Sequence, residues 1–168
     1  QCLILGDDGR MTLLTRSADL RQAQHTSVIK DIRVWKDREG AFPHMLLPDI
    51  LDEYGARGKR IGVEWEAYGM TGKSALNLGM ALDSYGTLTD ASNLVSELRL
   101  VKSPAEIAYV RKAAKLGDAA LDAAADLAAP GINEGSILAA MQGAVFEGGG
   151  GYPGNEFIIG SGQGALLC

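Results

Sequence analysis

The sequence predicts an α/β domain over residues 1–97, a mixed sheet flanked by helices, followed from residue 98 to 168 by the start of a second, helix-led α+β domain. Three observations predict it. Strand-like and helix-like stretches alternate through the first 97 residues, a strong helix-start signal stands at Ser103-Pro104-Ala105-Glu106, and an Ala-rich helical run follows it. In that signal Ser103 is placed to cap, and Pro104 sits where a missing N–H costs nothing. Glu106 can bond back to the Ser103 amide, completing a capping box. Because the short charged connector Leu98-Arg99-Leu100-Val101-Lys102 precedes it, the signal marks a domain boundary.

The elements follow in order. A hairpin is expected at 2–15, turning through Gly6-Asp7-Asp8-Gly9, so Asp7 and Asp8 read as turn residues rather than as a catalytic carboxylate pair. A helix at 17–24 leads to a strand at 28–35, and a helix at 43–54 leads to a strand at 59–65 that carries Ile61 and Val63 on one face. A helix at 73–83 and a short strand at 86–89 complete the first domain. Trp35 and Trp65 each end a strand; Trp65 is assigned to the core, and Trp35 is left between core and dimer surface. His25 and His44 have no carboxylate partner nearby in sequence and read as loop, capping or first-turn residues.

Beyond the boundary, Ile107, Val110, Ala114, Gly117, Leu121, Ala124 and Ala128 recur at three- and four-residue steps, which places them on one packing face until Pro130-Gly131 stops the helix. Asn133 is placed to cap a second helix with Glu134 at its positive end and Ile137, Leu138, Met141 and Val145 as its buried side. After Gly148-Gly149-Gly150-Gly151, the run Glu156-Phe157-Ile158-Ile159 reads as a strand broken by Gly160-Ser161-Gly162, with Ala165-Leu166-Leu167 resuming it.

The ordered series LRLVKSPAEI, a long Ala-rich helix, APGINE, FEGGG and FIIGSG resembles the opening of the "pita-bread" metallohydrolase domain of the creatinase, prolidase and aminopeptidase P family. The resemblance covers about residues 95–167, and residues 1–97 resemble the family's N-terminal domain. It implies a metal-dependent hydrolase of the Xaa-Pro peptidase type that cleaves a peptide or related C–N bond. Such an enzyme uses two divalent metal ions (Mn, Co or Zn) held by two Asp, one His and two Glu, acts on a small molecule or short peptide, and works as a homodimer. The ligand positions would all follow Cys168, so this chain reads as a fragment that carries no catalytic residue or metal ligand and is inactive by itself. Ser161 and Gln163 are the substrate-proximal candidates that the resemblance implies. Many peptidase members follow that bend with a strand ending in a His, whereas here Gln163-Gly164-Ala165-Leu166-Leu167-Cys168 follows. Creatinase-like, ectoine-hydrolase-like or lyase members of the same fold, acting on small non-peptide substrates, and non-catalytic relatives are the alternatives.

Composition narrows the remaining classes. With 168 residues, 46% of them hydrophobic and 22% charged, the chain can bury a core. The net charge of −5 and the scattered placement of 16 Lys and Arg argue against a nucleic-acid partner. No apolar run is long enough to span a membrane. The two cysteines, Cys2 and Cys168, belong to no CxxC or Cys/His spacing, so a reduced, cytoplasmic setting is expected. One competing motif remains, since Ala67-Tyr68-Gly69-Met70-Thr71-Gly72-Lys73-Ser74 follows the relaxed phosphate-loop pattern and would make Gly72, Lys73 and Ser74 a nucleotide site. Glu64 and Glu66 put negative charge at its mouth, and no later strand ends in an Asp suited to Mg²⁺. A surface helix carrying Lys73 in its first turn is the preferred reading. Asp118, Asp122 and Asp126 recur every four residues without a His and read as a solvated stripe.

Overall fold

The structure is a computed structural model that describes residues 1–166. It divides into two compact units, Gln1–Leu98 and a second from Arg99 onward.

In the first unit, β1 (Cys2–Leu5) and β2 (Met11–Arg16) form the hairpin, with Cys2 opposite Leu14 and Leu5 opposite Met11. β2 also pairs in parallel with β3 (Asp31–Trp35), which gives a mixed three-stranded sheet in the order β1-β2-β3. The crossover is a 3-10 turn, Ser17–Asp19, and helix α1 (Leu20–Thr26). A second 3-10 turn, Pro43–Leu46, opens α2 (Leu47–Glu53). β4 (Arg60–Val63) and β5 (Thr87–Asp90) pair in parallel around α3 (Gly72–Ala81), and α4 (Leu94–Leu98) follows them. The short helix α4 lies where the sequence suggests only a connector.

The core forms where one face of the hairpin meets α2 and the end of α3. Leu14 is fully buried and clusters with Ile4, Leu47, Ile50, Leu51, Leu82 and Tyr85. Burying these side chains supplies the main driving force of the unit. Trp35, left open by the sequence, packs against this cluster, whereas Trp65 is half-buried and outside it, contrary to its expected place in the core. The reason lies in register. Trp35 pairs with Arg16 at the end of a strand inside the three-stranded sheet, while Trp65 falls beyond the end of β4 in the loop that leads to α3. Gly86 permits the close approach of β5 to β4, because a Cβ there would lie 2.6 Å from the Lys59 carbonyl oxygen.

In the second unit, α5 (Pro104–Leu127) begins with the expected capping box. The Ser103 hydroxyl accepts from the Glu106 N–H at 3.3 Å, and the Glu106 carboxylate accepts from the Ser103 N–H at 2.7 Å. α6 (Glu134–Glu147) is capped by Asn133, whose side-chain oxygen accepts from the Gly135 N–H. Its buried side is the expected one, with Ile137, Leu138 and Met141 half-buried and Val145 buried. The packing face of α5 is not the expected one. Ala120 is buried and Leu116 and Ala123 are half-buried; of the expected stripe only Ile107 and Ala124 are half-buried, whereas Val110 and Leu121 stay exposed. An Ala-rich helix offers two small-residue stripes, and α6 takes the one centred on Ala120.

The strand expected at Glu156–Ile159 is not formed, and Gly162–Leu166 is a 3-10 turn. Among the described residues the second unit offers no strand to pair with, and an apolar run without a ladder partner keeps no β structure. Leu167, the last residue of the expected resumed strand, and Cys168 lie outside the described residues.

Candidate functional site

The sequence candidates fall into separate places. Ser161 and Gln163 lie in the bend that follows α6, and both are exposed. The Ser161 hydroxyl donates to the Glu134 carboxylate, Oγ to Oε2 at 2.7 Å, which joins the bend to the first residue of α6. The Gly164 N–H donates to the Ser161 carbonyl at 2.9 Å, and Gly162 takes a φ of +54°, so the backbone there doubles back on itself.

Gly72, Lys73 and Ser74 form the first turn of α3, and all three are exposed. Thr71 caps that helix by accepting from the Ser74 N–H at 3.1 Å, and the Met70 N–H donates to the Ala67 carbonyl at 2.8 Å. Two of the donors that a phosphate would use are therefore engaged within the loop. β5 is a formed strand, parallel to β4, and it ends in Asp90. The strand ending in Asp90 is thus fully formed, though the expectation concerned an Asp suited to Mg²⁺. The Asp90 carboxylate instead accepts from the hydroxyl and N–H of Ser92, at 2.6 and 2.9 Å, and these bonds hold its pKa below the usual value.

The remaining candidates stay with their plain readings. Asp8 closes the hairpin turn by accepting from the N–H and side chain of Arg10, which lowers its pKa. His25 is exposed at the end of α1, and His44 stacks on Phe42 with ring centroids 5.5 Å apart. Asp118, Asp122 and Asp126 are all exposed. Cys2 is half-buried, and burial raises its pKa, which makes the thiol a poor nucleophile.

Sequence reasoning misses two polar clusters because their members are distant in the chain. In one, the buried Thr12 hydroxyl donates to Asp31 at 2.7 Å and shares a 2.7 Å bond with the Tyr54 hydroxyl. Arg33 bridges Asp31 and Glu53, which fastens α2 to β3. Bonds from Arg33 first and Thr12 second lower the Asp31 pKa. In the other, the buried Tyr85 donates to Asp52 at 2.8 Å while Arg57 pairs with that carboxylate and lies over the Tyr85 ring. Burial, then the Asp52 carboxylate, pushes the Tyr85 hydroxyl up to about 12. The first cluster ties α2 to the sheet, and the second ties α2 to the loops that precede β4 and β5.

No group of three or more His, Cys, Asp or Glu among the described residues is arranged to hold a metal ion. These residues therefore do not by themselves fit a two-metal centre. Nor is any helix among them long and apolar enough to cross a membrane.

The mixed sheet and its helices define a domain class, and the comparisons name it. Residues 1–101 match the Creatinase/Prolidase N-terminal domain, and the chain belongs to that family. It is 30% identical over 151 residues to an uncharacterized hydrolase/peptidase of Sinorhizobium fredii, covering 84% of this chain and 38% of that protein. In structure it is similar to the Xaa-Pro dipeptidase from Bacillus anthracis, with a TM-score of 0.64, 23% identity, and coverage of 82% of this chain and 36% of that one. It is likewise similar to the X-Pro aminopeptidase from Thermotoga maritima, with a TM-score of 0.64, 18% identity, and coverage of 83% and 37%. At these identities the structural likeness is one of fold. The chain spans less than two fifths of the length of each of these relatives.

Proposed function

We propose that this chain is part of a metal-dependent hydrolase of the Xaa-Pro peptidase type, cleaving a short peptide or related C–N bond. The match of residues 1–101 to the Creatinase/Prolidase N-terminal domain carries the reading. The relatives' printed names, a hydrolase/peptidase, an Xaa-Pro dipeptidase and an X-Pro aminopeptidase, support it. In this proposal residues 1–97 are the N-terminal domain, residues 98–168 open the catalytic domain, and the complete protein is a cytoplasmic homodimer. Two divalent ions, Mn, Co or Zn, are held by donors outside the described residues. The roles left to this chain are structural and positional: a rigid first domain, and the bend at Ser161 and Gln163 placed near the substrate.

A second reading turns on the strand expected after the bend, which ends in a His in many peptidase members. No His stands between Ser161 and Leu166. Should none close that strand in the complete protein, a creatinase-like, ectoine-hydrolase-like or lyase relative acting on a small non-peptide substrate becomes the reading.

The test uses the complete reading frame, purified, stripped with chelator and reloaded separately with Mn²⁺, Co²⁺ and Zn²⁺. Hydrolysis of Xaa-Pro dipeptides or of longer peptides with Pro second is the expected result. A folded, metal-loaded protein that cleaves none of them overturns the peptidase assignment, and turnover of creatine instead selects the second reading.

A further inference from the structure

The geometry points to Glu134 as a positioning residue that fixes the Ser161–Gln163 bend against α6. The bend is compact in its own backbone. Its Gly164 N–H returns to the Ser161 carbonyl at 2.9 Å, and a Cβ on Gly160 would lie 2.9 Å from the backbone of Gly164, so the segment folds closely on itself. Its orientation then depends on what ties that piece to a helix. Among the described residues, the side-chain hydrogen bond that does so is Ser161 Oγ to Glu134 Oε2, 2.7 Å long and spanning 27 positions of sequence. An ionised carboxylate only accepts and a serine hydroxyl donates, so the pairing has one polarity and a short, charge-assisted length.

Glu134 is suited to this work because the helix start does not need it. Asn133 already caps α6 through the Gly135 N–H at 2.8 Å, which leaves the Glu134 carboxylate directed to Ser161. The bond joins two of the sequence motifs of the second unit, APGINE and FIIGSG, that stand apart in the chain. Both partners are exposed, so the bond adds little to global stability and acts on placement. The consequence for substrate rests on the peptidase reading proposed above: swinging the bend away from α6 displaces Ser161 and Gln163, which weakens substrate binding more than it slows bond cleavage.

The experiment compares the complete protein with Glu134→Ala, Ser161→Ala, the double variant and Ser161→Thr, which keeps the hydroxyl. Two readouts are taken: amide hydrogen exchange across 160–164, and KM and kcat on an Xaa-Pro dipeptide. Each Ala variant is expected to speed exchange and raise KM about threefold with kcat within about twofold, since an exposed charge-assisted bond is screened by solvent and its loss has a few-fold effect. The double variant should match the single ones, and Ser161→Thr should restore wild-type values. Unchanged exchange in both Ala variants, or additive effects in the double, overturns the positioning role. If the wild-type protein cleaves no Xaa-Pro peptide, the peptidase reading fails alone, and the exchange data still decide whether Glu134 holds the bend.

Discussion

Leu14→Ala tests the register that builds the first unit. Leu14 is fully buried at the centre of β2 and meets the core formed by α2 and the end of α3. Truncating it removes the transfer energy of a buried leucine and leaves a cavity that a strand paired on both sides cannot collapse, about 3–4 kcal/mol in comparable sites. The control is Leu3→Ala on the facing strand, where Leu3 is 48% exposed and its loss costs about 1 kcal/mol or less. Both tryptophans, Trp35 and Trp65, lie in the first unit, so their fluorescence during urea unfolding reports on that unit. The midpoint should fall steeply for Leu14→Ala and little for Leu3→Ala, with the slope of the transition unchanged. Pairing slipped by one residue would exchange the faces, making Leu14 the exposed member and Leu13 the core one. Equal losses from both variants, or a loss under about 1 kcal/mol at Leu14, would refute this register.

Three further predictions follow from the same structure. Tyr85 should ionise late, near pH 12, in an ultraviolet titration compared with a Tyr85→Phe variant. Its raised value means that the neutral phenol is favoured in the fold, so its contribution is full below the unfolded value near 10 and is lost as pH climbs through about 12. Gly86→Ala should destabilise the first unit by about 2 kcal/mol or more in the urea assay, because the new methyl meets the Lys59 backbone oxygen rather than a yielding side chain. Ser103→Ala should lower helical circular dichroism and cost about 1 kcal/mol through loss of the cap on α5. The Glu106 carboxylate, held low by its bond from the Ser103 amide, should withdraw its half of that box as pH falls through its depressed value.

What was legible in the sequence was whatever is decided locally. The capping box at Ser103 and Glu106, the Asn133 cap and the hairpin turn at Asp7-Asp8 each depend on neighbours within a few residues, and each was readable for that reason. The packing stripe of α5 was not, because a helix with apolar or small residues on two faces leaves the choice to its neighbour, and α6 made it. Trp35 and Trp65 differ by strand pairing, which spacing along the chain does not encode. The run at 156–159 has the composition of a strand, yet a strand is a property of two segments. At the candidate site, the motifs around Asn133 and Ser161 were legible, while the Glu134 to Ser161 bond across them was not.

Two of the three strand pairings of the first unit, β1 with β2 and β4 with β5, also differ in the length of chain they must close. β1 finds β2 across residues 6–10, whereas β4 finds β5 only after residues 64–86 have been closed into a loop containing α3. On chain entropy alone the longer closure is harder by about 1.4 kcal/mol. On that count the hairpin is the easier of these two pairings to close, and it presents Ile4 and Leu14 as an apolar face to α2 and the end of α3.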